Sequence, residues 1–488
     1  MGSRHAPLLL TLVLTACGPA VLGNGGDGGD DGKGDGTCST PGQTRACYSG
    51  APGTENVGPC TGGTETCSDT GSWGPCVGEV APSQELCGNG VDDNCSGQVD
   101  ENVDSDGDGF TTCGGDCCDS TAEGCGSPAL VNPGAFEAMG NMVDDDCDGM
   151  VDNAAAATCD TGLASNSGTA MDYAKAIELC QTATMTDTKW GVISAQLVLP
   201  SGTGTPNANQ RAIRPAFGGT TVQGGSSFAV LSTGAAAATG QTSPAFRAFQ
   251  TAAALGGSST VPADWYAANG NTLPNAPGCP APAGGATVQD PIMLELSIRT
   301  PTNAKSFKLS TNFMSSEYPE WTCSPFNDFF VVLLDSTWAG QPANPTDKNL
   351  AFYTSATNQK YPVGVNLAFG NTGLFTACTN GPIGCASFSV AGTISTCTST
   401  TELVGTGMDP TNPAANANAG GQPGYCGANN QVGGGTGWLV TSGNVKGGEV
   451  IKLRIAVWDT SDGLYDSVSI LDNFQWSVDA AQPGTVIF

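Results

Sequence analysis

Residues 292–300 read IMLELSIRT, and from Leu294 onward apolar side chains alternate with polar ones. A period of two places the apolar side chains on one face of a β-strand. One helix is expected, over residues 170–180 (AMDYAKAIELC). Many spaced strands with little helix predict a mainly β fold, in which residues 154–488 form an antiparallel β-sandwich of the jelly-roll type. Further strands are expected at 306–313, 329–334, 349–354, 450–458 and 467–478, each an alternating or short apolar run bounded by Gly, Pro, Asn or Asp.

The charge and the cysteine content of the chain limit its partners and its compartment. Of the 488 residues, 45 are acidic and 16 are basic, which gives a net charge of −29. Nucleic-acid binding needs clustered Lys and Arg to neutralise phosphates, so a nucleic-acid partner is excluded. The 21 Cys are too many for a reducing compartment. They indicate an exported chain that is stabilised by disulfides.

His5 is the single histidine of the chain, and it lies in an N-terminal segment with the features of a cleaved leader. A mature chain without imidazole excludes Ser-His-Asp and Cys-His catalysis. It also excludes zinc and copper sites that are built on histidine. Carboxylates, hydroxyls, thiolates and a few Lys are left to carry any chemistry.

Residues 1–16 read as an export signal, because the apolar run LLLTLVL at 8–14 is too short to cross a bilayer. Residues 14–17 (LTAC) resemble the lipobox of bacterial lipoproteins. The resemblance implies cleavage before Cys17, acylation of Cys17 by membrane lipid, and anchoring at the outer membrane and cell surface. An ordinary signal peptide that ends near a Cys is the alternative. Residues 17–37, which are rich in Gly and Asp, are expected to form a flexible tether.

Two Cys-rich modules are expected to follow the tether. Residues 38–84 contain five Cys and little to bury, so disulfides are expected to stabilise them. Residues 85–153 are acidic and contain seven Cys. Both counts are odd, which predicts at least one disulfide between the modules, and Cys159 is expected to pair with Cys180. Four Cys of the acidic module could instead hold a soft metal, although disulfides are favoured in an exported chain: Cys113, Cys117, Cys118 and Cys125.

The acidic module contains an internal repeat. ELCGNGVDDNCSGQVDE at 85–101 returns as EAMGNMVDDDCDGMVDN at 137–153, with ten of seventeen positions identical, which indicates duplication. Cys87 aligns with Met139. The alignment therefore implies a Cys87–Cys95 bridge that the second copy cannot form, so that Cys147 needs a different partner.

The same module has the composition of a metal site, with seventeen Asp or Glu and no Lys or Arg over residues 85–152. Such a segment repels itself unless cations neutralise it. The run DSDGDGF at 104–110 is typical of a calcium loop, in which alternating carboxylates and one carbonyl oxygen converge. Position twelve of the loop is Gly115 rather than Glu, so Asp116 or Asp119 is expected to supply the missing carboxylate. The predicted cofactor is Ca²⁺, and the predicted ligands are Asp92, Asp93, Asp100, Asp104, Asp106, Asp108, Phe110, Asp116, Asp119, Asp144, Asp145, Asp146, Asp148 and Asp152.

This loop resembles the short calcium loops of thrombospondin type 3 and dockerin-like repeats. The whole module resembles the metal-binding motif of bacterial surface proteins related to MopE. The resemblance implies a bound metal without fixing which one. Copper is associated with one relative, whereas the lack of imidazole here favours calcium. A solvated acidic linker is the alternative. The stretches that carry the resemblance to the MopE-related proteins are 87–101, 104–110, 113–119, 132–137 and 144–152.

Three stretches of the last region resemble the bacterial choice-of-anchor L domain: SSEYPEW at 315–321, SPFNDFF at 324–330 and WDTSDGLYDSV at 458–468. The resemblance implies a surface domain that occurs with varied anchors, and it implies no activity. Their acidic residues could form a second cation site or could cap turns through side chain–backbone bonds. The candidates for the second site are Asp459, Asp462 and Asp466.

Three functions are compatible with these features. The favoured one is a lipid-anchored cell-surface protein with structural calcium sites that binds or presents an extracellular glycan or protein, for example in adhesion. A copper-scavenging surface protein is the alternative. A glycan hydrolase is a third possibility, because glycosidases need two carboxyl groups about 5–9.5 Å apart, and Glu295, Glu317 and Glu320 are eligible. No hydrolase motif is present, so the chain is expected not to be an enzyme.

Overall fold

A computed structural model describes residues 37–83, 85–121, 125–153, 159–249, 255, 257–410, 426 and 433–488. The predicted leader, the predicted acylation site Cys17 and residues 18–36 lie outside the described residues. The chain divides into two compact units, Met1–Asp100 and Glu101–Phe488. No helix among the described residues is long and apolar enough to cross a bilayer.

The first unit is a hairpin held by disulfides. Strands β1 (Thr44–Cys47) and β2 (Gly63–Thr66) pair antiparallel. The hairpin is flanked by the bridges Cys38–Cys67 and Cys47–Cys76. Its most buried residues are themselves cysteines, with Cys60 fully buried. Disulfides therefore take the place that a hydrophobic core has in a larger domain.

The second unit is built from strands with two short helices. Its strands are β3 Gly191–Val198, β4 Arg211–Arg214, β5 Ala216–Phe217, β6 Thr220–Thr221, β7 Phe228–Ser232, β8 Ser258–Thr260, β9 Thr287–Arg299, β10 Ser306–Ser315, β11 Phe329–Asp335, β12 Phe352–Thr354, β13 Lys360–Pro362, β14 Gly381–Ile383, β15 Gly392–Ile394, β16 Gly434–Asn444, β17 Val450–Thr460, β18 Ser467–Ser477 and β19 Gly484–Ile487. Its helices are α1 Ala170–Lys175 and α2 Ala263–Ala268, and short 3-10 turns cover Thr112–Gly114, Pro128–Leu130, Ala208–Gln210, Val365–Leu367 and Thr401–Leu403.

Two large antiparallel sheets share one hydrophobic core. One sheet has the strand order β11-β17-β9-β3, with β8 also paired to β9, and the other has the order β19-β16-β10-β18-β7-β4. Ile455 of β17 lies between Val332 of β11 and Leu294 of β9. These three side chains pack in the same core as Phe307 and Leu309 of β10, which belongs to the other sheet. The mainly β, sandwich-like fold is therefore confirmed.

Local differences from the predicted elements have identifiable causes. The strand expected at 349–354 starts only at Phe352, because the side chain of Asn349 accepts hydrogen bonds from the backbone N–H groups of Val332 and Ala351 at 3.2 and 3.0 Å. The expected helix ends at Lys175, ahead of Glu178, whose φ of 66° is left-handed. Strand β16, which was not among the predicted strands, begins at Gly434, where a Cβ would come within 2.7 Å of the Tyr318 ring. Glycine is required there because an aromatic ring packs directly on the backbone.

The disulfides confirm one part of the cysteine predictions and correct another. Cys60 pairs with Cys95, which is the predicted bridge between the two Cys-rich modules, and Cys159 pairs with Cys180 as expected. The Cys87–Cys95 bridge is wrong. Cys95 and Cys147 occupy the same turn position of the two repeats, with φ of 58° and 56°, and each bridges to a Cys outside its own repeat. The four Cys that could have held a soft metal are all disulfide-bonded: Cys113, Cys117, Cys118 and Cys125.

Candidate metal centre

The run at 104–110 folds into a tight turn around the carboxylate of Asp104. One oxygen of Asp104 accepts a hydrogen bond from the Gly107 N–H at 2.7 Å, and the other accepts one from the Gly109 N–H at 3.1 Å. Gly107 and Gly109 have φ of 80° and 94°, a conformation in which glycine carries no Cβ penalty. The Asp106 carboxylate accepts a hydrogen bond from the Asp108 N–H, and the Asp108 carboxylate accepts one from the Phe110 N–H. The backbone thus directs three carboxylates to the inside of one turn.

Five carboxylates meet at this turn in two groups that share Asp106. Asp104, Asp106 and Asp108 each place one oxygen within 4.8 Å of the others, and Asp106, Asp116 and Asp119 do the same. Oxygens that bind one Ca²⁺ at about 2.4 Å lie no more than about 4.8 Å apart. Oδ2 of Asp106 is buried and accepts no hydrogen bond from a described residue. The predicted convergence of Asp116 and Asp119 on the loop is thus present in the structure.

The electrostatics of the turn favour a bound cation. Burial, followed by the charges of neighbouring carboxylates, raises the pKa of Asp106 and of Asp108. Burial also raises the pKa of Asp116 to about 7, and Asp108, Asp106 and Asp119 add to the effect. Asp116 and Asp119 are only 1% and 4% exposed. Several ionised carboxylates in so small a volume are unfavourable unless a positive charge offsets them.

Asn132 fixes this turn to the β-sandwich. Its amide nitrogen donates to Asp108 Oδ2 at 2.6 Å, and its amide oxygen accepts from the Thr302 hydroxyl at 2.7 Å. Asn303 adds a reciprocal pair of bonds with the backbone of Phe136, at 3.1 and 2.8 Å. The sequence analysis included Asn132 in the motif but assigned it no role. A hydrogen bond to a ligand carboxylate orients that ligand, as outer partners of metal sites do.

The second copy of the repeat forms the same kind of turn and a third acidic group. Asp144 accepts hydrogen bonds from the N–H groups of Asp148 and Gly149 at 3.1 and 2.9 Å. One oxygen each of Glu137, Asp144 and Asp146 lie within 4.8 Å of one another. Oε2 of Glu137 is buried and accepts no hydrogen bond from a described residue. Burial, with the charges of neighbouring carboxylates, raises the pKa of Glu137 and of Asp146.

Glu137 was not predicted as a ligand. The signal that could have identified it is the pattern DDDCDG at 144–149, which matches DSDGDG at 104–109 position by position at its three Asp and final Gly. A calcium-type loop therefore starts at Asp144 as well, and an acidic residue near that loop becomes a candidate ligand.

The first copy repeats the turn with fewer charges. Asp92 accepts hydrogen bonds from the N–H groups of Ser96 and Gly97, both at 2.9 Å. Asn94 and Ser96 stand where the second copy has Asp146 and Asp148. The two copies therefore share a backbone, and Asp146 and Asp148 of the second copy have neutral counterparts in the first.

Some predicted ligands instead accept hydrogen bonds from backbone N–H groups. Asp152 accepts from the N–H groups of Gly140 and Asn141 at 2.6 and 3.2 Å, and Asp100 accepts the equivalent bonds in the first copy. In the described chain, five of the predicted ligands belong to no group of three acidic ligands within 4.8 Å: Asp93, Asp100, Asp145, Asp148 and Asp152. The side chains proposed for a second cation site also form no such group by themselves: Asp459, Asp462 and Asp466.

The repeat matches one family model. The family is described as "Putative metal-binding motif" and carries the name Cu-binding_MopE, and the match covers residues 81–101 and 127–153. These segments contain both copies of the repeat, and the turn at 104–110 lies between them. No curated protein and no solved structure matches the chain. The MopE-related motif is thus confirmed, and its description refers to metal binding without identifying the metal.

Proposed function

We propose that this chain is a lipid-anchored cell-surface protein whose acidic module binds Ca²⁺ as a structural ion. The observation that carries the proposal is the pair of acidic groups that share Asp106. Five carboxylates around one turn supply the six to eight oxygens that Ca²⁺ accepts, together with backbone carbonyls such as that of Phe110 and with water. Neutralisation of these charges lets the turn at 104–110 stay packed on the β-sandwich through Asn132.

The donor set supports calcium over copper. Every ligand candidate in the two acidic groups is an oxygen, and the Cys of the module are disulfide-bonded. Hard oxygen ligands suit Ca²⁺, whereas copper prefers imidazole, thiolate or thioether. Copper remains the second candidate because the name of the matched family refers to it. Copper scavenging requires tight copper uptake that excess calcium does not displace.

Surface anchoring and a binding role complete the proposal. The lipobox-like LTAC at 14–17 and the Gly/Asp-rich tether support attachment of an acylated Cys17 to membrane lipid. We propose that the β-sandwich binds or presents an extracellular glycan or protein and that the chain is not an enzyme. Glu295, one of the eligible hydrolase carboxylates, forms an ion pair with Lys452 at 3.1 Å. A replacement Cys17→Ser tests the anchor: the protein should leave the membrane fraction.

Calcium binding is tested on the full purified chain. Isothermal titration with CaCl₂, and with CuSO₄ in the presence of excess Ca²⁺, measures both affinities. We expect Ca²⁺ to bind, and we expect Asp106→Asn to weaken the site at 104–119 at least tenfold, because Asp106 serves both acidic groups. Asp69→Asn is the matched control, since Asp69 is exposed and lies in the other unit. Tight copper uptake without calcium binding would overturn the proposal in favour of scavenging.

A further inference from the structure

A second group of acidic side chains lies inside the β-sandwich, far along the sequence from the metal-binding motif. Asp459, at the end of β17, is 1% exposed. Neither of its carboxylate oxygens accepts a hydrogen bond of normal geometry from a described residue. The hydroxyl of Thr233 and the carboxyl of Asp328 lie next to it. A buried carboxylate whose oxygens are both unsatisfied calls for a partner of opposite charge or for a proton.

Asp328 is the nearest acidic neighbour. The antiparallel register of β11 and β17 pairs Phe329 with Trp458, which brings Asp328 opposite Asp459. Asp328 is 1% exposed, and its Oδ2 accepts a hydrogen bond from the Ser467 hydroxyl at 2.6 Å. Its carboxylate also lies next to that of Asp459. Two carboxylates are thus held against each other beneath the surface.

Two more buried carboxylates flank this pair. Glu317 is 3% exposed, and its Oε2 accepts a hydrogen bond from the Asp328 N–H at 3.4 Å. Asp466 is 7% exposed, and its Oδ2 lies 2.2 Å from where a Cβ on Gly234 would be. Any side chain at position 234 would displace the Asp466 carboxylate. The fold therefore makes room for acidic groups at this point.

No basic side chain compensates these charges. Among the described residues, no Lys or Arg forms an ion pair with Glu317, Asp328, Asp459 or Asp466. The charged groups that act on them are further carboxylates, including those of Asp290 and Asp462. Burial, together with these neighbours, raises the pKa of all four. Uncompensated buried charges of one sign are strongly unfavourable.

We infer that one hard divalent cation binds between Asp328 and Asp459, and that outside the cell this cation is Ca²⁺. The hydroxyls of Thr233 and Ser467 lie beside the ion. Glu317 and Asp466 flank the two carboxylates. Two carboxylates neutralise the ion, and neutral oxygens complete its coordination, so three acidic ligands are not needed. This site is separate from the proposed calcium sites of the acidic module and does not depend on them.

The site lies where the two sheets of the sandwich come together. Asp328 and Asp459 belong to the sheet that contains β11 and β17, whereas Thr233 and Ser467 belong to the ends of β7 and β18 in the other sheet. The ion therefore links the two sheets at one end of the sandwich. Residues from the three stretches that resemble the choice-of-anchor L domain meet at this link: 315–321, 324–330 and 458–468.

Terbium luminescence distinguishes this site from the acidic module. Tb³⁺ replaces Ca²⁺ at oxygen sites and emits when a nearby aromatic side chain is excited. Residues 85–153 contain no Trp or Tyr, whereas Trp458 and Tyr318 adjoin Asp459 and Glu317 in the chain. In a chain that carries Asp106→Asn and Asp146→Asn, which removes emission that Trp190 could sensitise near Asp146, we expect aromatic-sensitised emission that Asp459→Asn abolishes and that excess Ca²⁺ displaces. Emission that survives Asp459→Asn, or its absence from the wild-type chain, overturns the inference.

Metal content gives a second measurement that does not rely on one variant. In a chain that carries both Asp106→Asn and Asp146→Asn, we expect one bound Ca²⁺ per chain after gel filtration, measured by mass spectrometry of the metal. Adding Asp328→Asn or Asp459→Asn should remove that ion, while circular dichroism verifies that the β-sandwich remains folded. A metal-free double variant whose sandwich is folded would show that protons alone neutralise the pair, and would refute the inference while leaving the acidic-module sites unaffected.

Discussion

The two copies of the repeat, 85–101 and 137–153, have nearly the same backbone but different side chains inside the turn. Left-handed residues recur in register, for example Asp100 and Asp152 with φ of 53° and 51°. The acidic groups that accept backbone N–H groups recur as well. The interior of the turn differs, because Asn94 and Ser96 replace Asp146 and Asp148. Duplication has preserved the residues that shape the turn while changing the number of carboxylates inside it.

Protons and calcium should compete for the carboxylates of the acidic turns. The pKa values of Glu137 and Asp146 are raised, and that of Asp116 in the neighbouring turn is raised to about 7. The folded, ion-free state therefore holds more protons than the unfolded state, so its stability falls as pH rises from about 4 to about 7. Ca²⁺ requires the ionised forms, and at 100 times its Kd it stabilises by about 2.7 kcal/mol.

The measurement is the melting temperature with Ca²⁺ and with EGTA, at pH 5 and at pH 8. We expect the calcium-dependent increase to be large at pH 8 and small at pH 5. An increase of equal size at both values would contradict the coupling of protons to the ion.

Removing the carboxylates that accept hydrogen bonds from backbone N–H groups should lower the stability of both copies by the same amount. Asp100→Ala and Asp152→Ala each lose charge-assisted bonds to consecutive N–H groups, and we expect a loss of about 2 kcal/mol in the free energy of unfolding. Asp→Asn at the same positions is the control, since Asn keeps an acceptor and tolerates the left-handed conformation. Denaturant unfolding of the full chain measures the losses, and a clear difference between the copies would argue against a shared structural role.

Exchanging the interior residues should sharpen the contrast between the copies. Asn94→Asp with Ser96→Asp gives the first copy the carboxylates of the second, and we expect its calcium affinity to rise about tenfold, or about 1.4 kcal/mol. The reverse exchange, Asp146→Asn with Asp148→Ser, should weaken the second copy by a similar factor. Calorimetric titration resolves both changes. If neither exchange alters calcium affinity, positions 94, 96, 146 and 148 do not set the binding capacity.

The smallest expected effect concerns one backbone conformation. Met142 has φ of 63° at the position where the first copy has Gly90 with φ of 73°. A left-handed conformation is unfavourable for a residue with a Cβ, so Met142→Gly should stabilise the chain by about 0.5 kcal/mol. Gly90→Ala should destabilise it by about 1 kcal/mol. Thermal melts of the two variants should therefore shift in opposite directions.

Patterns that depend on neighbours in the chain were predictable. Alternation identified β9, and the Asp-x-Asp-x-Asp-Gly spacing identified the turn at 104–110, because both are local geometry. The roles of Asp100 and Asp152 were not predictable, since a carboxylate next to a turn can face a cation or accept N–H groups, and sequence does not show which. The pairing of Asp328 with Asp459 depends on the register of two strands that are distant in sequence.

The amide of Asn132 has a consequence for how the protein responds to its surroundings. One end of this side chain holds Asp108 in the acidic turn, and the other end holds Thr302 in the connection between β9 and β10. A carboxylate that shifts when an ion leaves therefore pulls on a connection inside the sandwich. Loss of the proposed ion should therefore loosen this connection, and faster hydrogen exchange at Ala304 would report it from a distance.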